Sequence, residues 1–201
     1  MNPQHVPAAP RPILVAVLRG RWLGLARAGW VVLTFLSLGL FIAGIPAEFA
    51  QLQVVCPTEF CASGQLPPAG LRALRDLGLS LDFYAVYGVA LDIIFAAVYS
   101  AVAALIFWRT SADRLALFGA FALLTFGTVT HPTTTDALAM AHPAWWPLVA
   151  ILNFLGSASF GLFLYLFPNG RFVPRWTRWV AFGWLAWQVP KYWFPGWPPP
   201  I

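Results

Sequence analysis

Cys56 and Cys61 stand close together and are the only thiols among 201 residues. In an oxidising compartment such a pair closes a small disulfide loop, which would stiffen a ligand-receiving surface. In a reducing compartment it is two free thiols. Zinc would need two further ligands. His131 and His142 are available, but nothing in the spacing brings them to the cysteines, so no metal is assigned. One acid, Asp92, falls in the middle of an apolar stretch. A carboxylate at the centre of a bilayer costs about 2.5–3.5 kcal/mol, so this one must face protein or water. At spacing four, Gly88, Asp92, Ala96, Ser100 and Ala104 share one helical face, and all but the acid are small. Small residues in such a row mark helix packing. Two readings of Asp92 stay open: a proton- or ligand-linked switch, or a packing residue. Asn153, Ser157 and Gly161 make a comparable stripe, read as interhelical contacts or as part of a substrate path. Arg171, Arg175 and Arg178 flank the turn Pro168-Asn169-Gly170. They read as anchors for anionic headgroups or as a signal-relaying loop. No glycine-rich phosphate loop, HExxH pattern or Ser/His/Asp order occurs, so no catalytic residue and no cofactor is assigned.

The elements that must position these residues are set by composition. Hydrophobic residues make up 60% of the chain and charged residues 9%, against roughly 25% charged in a soluble domain. So few charges cannot cover a soluble surface, and lipid must be the solvent. A net charge of +5 and a pI near 9.8 would suggest nucleic acid in a soluble protein. Here the basic residues sit beside apolar runs, as membrane orientation requires, so the partner is the lipid bilayer and not nucleic acid. Eleven tryptophans suit an interfacial belt.

The expected fold is an all-α, polytopic transmembrane bundle of about five spans. Residues 1–27 read as a cytoplasmic tail, Pro-rich at first, with an interfacial patch near Ile13–Leu18. The transmembrane domain covers 28–197, with spans at about 28–49, 83–108, 115–130, 148–167 and 179–194. No charge interrupts the chain between Arg27 and Glu48. Such a stretch is about 30 Å of helix, the thickness of the hydrocarbon core. Residues 50–82 form an extracytoplasmic loop carrying a short amphipathic helix after Pro67-Pro68, with Leu71, Leu74 and Leu77 on one face and Gly78 as its stop. Residues 131–147 read as a second, polar outer loop.

Orientation follows from the basic residues. With the N-terminus inside, Arg11, Arg19, Arg21, Arg27, Arg109, Arg114, Arg171, Arg175 and Arg178 are cytoplasmic, and Arg72, Arg75 and Lys191 are outside. That is nine against three, and the positive-inside rule selects this topology. The localisation expected is a bacterial inner membrane, multi-pass. The cysteine pair then lies on the oxidising side.

The run Leu164-Tyr165-Leu166-Phe167-Pro168-Asn169-Gly170-Arg171-Phe172-Val173-Pro174-Arg175-Trp176 resembles the LFPDGRFVPRW-type loop in the membrane regions of some multi-span bacterial sensor histidine kinases. Leu79-Ser80-Leu81-Asp82-Phe83-Tyr84, Phe107-Trp108-Arg109 and the cysteine pair look like the same family, so the likeness covers about residues 25–197. Asn169 stands where that loop usually has Asp, which puts any role of the acid in doubt. Such kinases continue into further spans, a phosphoacceptor-histidine domain and an ATP-binding domain, and this sequence stops before them. The resemblance therefore implies a sensor or signal-input module, the front part of a truncated kinase, with no catalysis of its own. Its implied partner is a cytoplasmic kinase domain or a second copy. The alternative is a small transporter-like or orphan polytopic membrane protein.

Overall fold

The computed structural model describes residues 20–56, 61, 64–167, 170, 172 and 174–193. The tail and interfacial patch before residue 20, with Asn169 and Arg171, lie outside the described residues. Every regular element described is helical: α1 (Arg21–Leu52), α2 (Pro68–Asp76), α3 (Leu81–Thr110), α4 (Arg114–Thr125), α5 (Thr134–Ala141), α6 (Trp146–Leu166) and α7 (Thr177–Trp193). Among the described residues three stretches are long and apolar enough to cross a membrane: α1, α3 and Pro143–Leu166. A fourth candidate is α4 together with α5, which are bent by 52° at a short break. α7 has 17 residues with Pro190 near its end, somewhat fewer than the roughly 20 of a typical crossing.

Helix starts follow from local chemistry. The Ser80 side chain accepts a hydrogen bond from the Phe83 N–H at 3.1 Å, and Asp113 accepts one from Leu115 at 2.9 Å. Both satisfy donors that a helix N-terminus leaves unpaired. α2 begins at Pro68, and Gly78 ends it at φ +72°, a conformation glycine adopts without strain. None of α2's residues is buried.

α1 and α3 turn large apolar side chains outward, among them Val32, Phe35, Ile42, Val86, Ile94 and Val98. On a soluble protein so large an apolar surface would be a liability, whereas hydrocarbon solvates it. Their inward faces are small. Ala85, Ala96 and Ala103 are buried, and Gly88 lies against Leu52 of α1. The face read at spacing four on α3 is thus a packing surface.

The helices alternate in direction. The Arg27 side chain of α1 donates to Ser111 at 3.0 Å, which joins the start of α1 to the turn after α3. Gly170, beyond α6, lies near Leu115 at the start of α4. One end of the bundle therefore gathers Arg21, Arg27, Arg109, Arg114, Arg175 and Arg178. The opposite end carries Arg72, Arg75 and Lys191.

The polar loop expected over 131–147 is largely helical instead. α4 passes into a π-helical turn, Phe126–Thr130, where the His131 N–H bonds to the Phe126 carbonyl at 2.9 Å. The Thr125 and Thr128 hydroxyls bond back to carbonyls one turn earlier, a pattern that bends helices. Pro132, which has no N–H, then breaks the chain's helical course. α5 restarts at Thr134 and packs extensively against α1. Its Leu138 joins Leu40, Val129 and Leu152 in one buried cluster. The close approach needs glycine: a Cβ at Gly44 of α1 would overlap the Thr134 backbone. The first helix begins at Arg21 rather than near residue 28, so it absorbs part of the expected tail.

Candidate functional site

Asp92 of α3 meets three residues that the sequence alone does not bring to it. Its Oδ2 accepts a hydrogen bond from the Thr133 backbone N–H at 3.2 Å and lies 3.3 Å from the Thr134 hydroxyl. Its other neighbour is Glu48 of α1, which shares the Thr134 hydroxyl with it. Glu48 had the appearance of the charge that ends the first span. It lies instead inside α1 and is only 3% exposed. Its Oε1 accepts from the Thr133 hydroxyl at 2.7 Å and its Oε2 from the Thr134 hydroxyl at 2.5 Å.

Two carboxylates from two long helices therefore grip the first residues of α5. The geometry suits both partners. A helix N-terminus offers unpaired N–H groups and a partial positive charge, which favour acids beside it. The Thr134 hydroxyl carries one proton and can donate it to Glu48 or to Asp92, not to both. A small change in the position of α5 would thus change the hydrogen-bond pattern of the cluster.

A cavity of about 460 Å³ opens beside this cluster, at the end of the bundle opposite Arg21 and Arg109. Thr133 belongs to both the cavity wall and the carboxylate cluster. Its other polar walls are Gln51 of α1, Asp136 of α5, Asn153 of α6, and Lys191 and Tyr192 of α7. Asn153 Nδ2 donates to Asp136 Oδ1 at 3.1 Å. The Ser157 hydroxyl is 2.6 Å from the Tyr192 hydroxyl, which fixes that ring on the cavity edge. Lys191 is exposed, lies 5.2 Å from the centre of the Tyr192 ring, and is within electrostatic reach of Asp136. The stripe Asn153, Ser157, Gly161 is therefore the seam on which α5 and α7 meet α6, with Gly161 making room for Trp184.

The other predicted residues fall elsewhere. Cys56 and Cys61 form a disulfide with Cα atoms 5.5 Å apart. The loop is tied to the bundle by Tyr84, whose hydroxyl donates to the Gly64 carbonyl at 2.8 Å, and by Gln53, which donates to Asp82 at 2.6 Å. Gly170 adopts φ +66° and its N–H bonds to the Leu166 carbonyl at 2.7 Å. Arg175 is exposed, and Arg178 lies over the Trp179 ring at 5.1 Å. These loop residues sit at the arginine-rich end, away from the cavity. His131 stacks on Phe95 at 4.0 Å. Among the described residues no three His, Cys, Asp or Glu side chains group so as to hold a metal ion.

Glu48, Asp136 and Lys191 are the site residues that sequence reasoning missed. One signal was present. Thr133-Thr134-Thr135-Asp136 has the Ser/Thr-x-x-Asp/Glu spacing of a helix start, and it follows directly on Pro132. Comparison with protein-family models, curated proteins and solved structures returns no match.

Proposed function

We propose that this chain is a membrane-embedded signal-input module, with its arginine-rich end in the cytoplasm and its cavity facing out. The observation that carries the reading is the clamp on α5: a short helix at a break, held by Glu48 and Asp92 and flanked by a cavity. A sensor needs an element with two arrangements and a ligand that prefers one of them. α5 is such an element. It is covalently continuous with α4, which begins at the turn where Ser111 receives Arg27. Movement of α5 would bear on that cytoplasmic turn through α4. In this topology five helices cross, α7 included, and Cys56–Cys61 stiffens the outer loop. The sensor-kinase likeness of residues 164–176 agrees with a relay at the cytoplasmic end, to a kinase domain or a second copy.

A carrier is the second reading, and the broken helix favours it. Discontinuous helices and buried acids mark proton and ion paths in many transporters. The test uses a cysteine-free background (Cys56→Ser with Cys61→Ser) carrying Thr110→Cys, exposed beside that turn, with an environment-sensitive fluorophore. The input-module reading predicts that Glu48→Gln shifts the emission of that label. It also predicts that proteoliposomes under an imposed proton gradient show no protein-dependent flux. Gradient-driven flux that Glu48→Gln abolishes, with emission unchanged, would establish the carrier instead.

A further inference from the structure

The cavity beside α5 carries opposite charges on opposite helices. Asp136 lies on α5 and Lys191 on α7, and between them run apolar walls that include Met140 and Trp146. We propose that the cavity binds a small zwitterion, its ammonium on Asp136, its anionic group on Lys191, and its apolar part against Met140 and Trp146. The inference rests on the input-module reading only for its consequence, not for the binding itself.

Four observations support it. First, the two charges are not spent on each other: both line the cavity and they form no salt bridge. Second, Asp136 is aimed. Its Oδ1 accepts from Asn153, which is 6% exposed and fixed in α6, and this leaves Oδ2 available to a ligand. Third, Tyr192 is held by Ser157, so the neighbouring Lys191 stands on a fixed backbone. Fourth, about 460 Å³ is within the range of small-molecule sites and exceeds what an amino acid fills. A lone cation would leave Lys191 facing it, and a lone anion would face Asp136, so each is disfavoured by one wall. A zwitterion satisfies both, and charge-assisted hydrogen bonds are the stronger kind. Thr133 lines the same cavity and bonds to Glu48 and Asp92, so an occupant touches the clamp.

The zwitterion has two sources: a free amino acid from the outer solution, or the headgroup of an aminophospholipid. The experiment uses purified full chain in nanodiscs of phosphatidylglycerol alone, and in nanodiscs that also contain phosphatidylethanolamine. Radiolabelled L-leucine is the probe, with isopentylamine and isocaproate as analogues that keep one charge each. In phosphatidylglycerol discs leucine should bind, and each analogue should compete at least about tenfold more weakly. Asp136→Asn, which keeps a partner for Asn153, and Lys191→Met should each weaken leucine by about tenfold or more, with helical content and elution volume unchanged. Leucine binding that disappears when phosphatidylethanolamine is present identifies the headgroup as the occupant. Binding that persists identifies the free amino acid. No leucine binding in phosphatidylglycerol discs would overturn the proposal. So would an amine that competes as well as leucine together with an inert Lys191→Met. The Thr110 label separates the two readings. Leucine that binds without moving the label sinks the input module and leaves the site. A label that answers Glu48→Gln without leucine binding sinks the site alone.

Discussion

At the residue scale, the account turns on acids whose value depends on what meets them. Asp92 was legible because it interrupts an apolar run, and a mid-span acid demands a partner. Its partners were not legible. Thr133 and Thr134 are about 40 residues away in sequence and reach Asp92 only because α5, packed on α1, starts beside α3. Glu48 looked like a boundary because a charge after a long apolar stretch normally meets water. Here α5 covers it, and two threonine hydroxyls replace the water. The size of that replacement can be measured. Glu48→Ala leaves the Thr133 hydroxyl without its acceptor and the Thr134 hydroxyl with Asp92 alone, and a buried polar group left unpaired costs about 1–3 kcal/mol. Glu48→Gln keeps one acceptor oxygen and should cost less. Thermal unfolding in detergent should rank the three as wild type, Gln variant, Ala variant, from most to least stable. An Ala variant as stable as wild type would show that Glu48 does not hold α5.

At the element scale, hydropathy located the helices long and apolar enough to cross a membrane: α1, α3 and the stretch that contains α6. It missed α5. Eight residues that include Thr134, Thr135 and Asp136 are too short and too polar to read as a span, and the π-helical turn leaves no mark in composition. What places α5 is a tertiary fit. Gly44 offers a backbone with no Cβ where Thr134 comes down, and side chains larger than hydrogen cannot share that space. Gly44→Leu should therefore displace α5 and lower stability by about 1–3 kcal/mol, the usual cost of overpacking. Hydrogen exchange over residues 126–141 should accelerate in this variant. Gly39→Leu serves as the control, since a Cβ there meets nothing within 4 Å. Equal protection in both variants would contradict the packing described.

At the scale of the whole molecule, lipid-facing side chains on α1 and α3 and a bundle with arginines at one end were both implied by composition and charge. The cavity was not. It forms where α5, α6 and α7 converge, and Asp136 and Lys191 come together across a separation of more than fifty residues. The central claim is that this cavity opens to the outside, beside a clamp on α5. Met140, at the cavity wall and 63% exposed, tests it most directly. In the background with Cys56→Ser and Cys61→Ser, Met140→Cys should react with a membrane-impermeant maleimide added to intact cells. Thr110→Cys, exposed at the other end, should react only after the membrane is opened. Labelling of Thr110→Cys from outside, with Met140→Cys protected until the membrane is opened, would contradict the account.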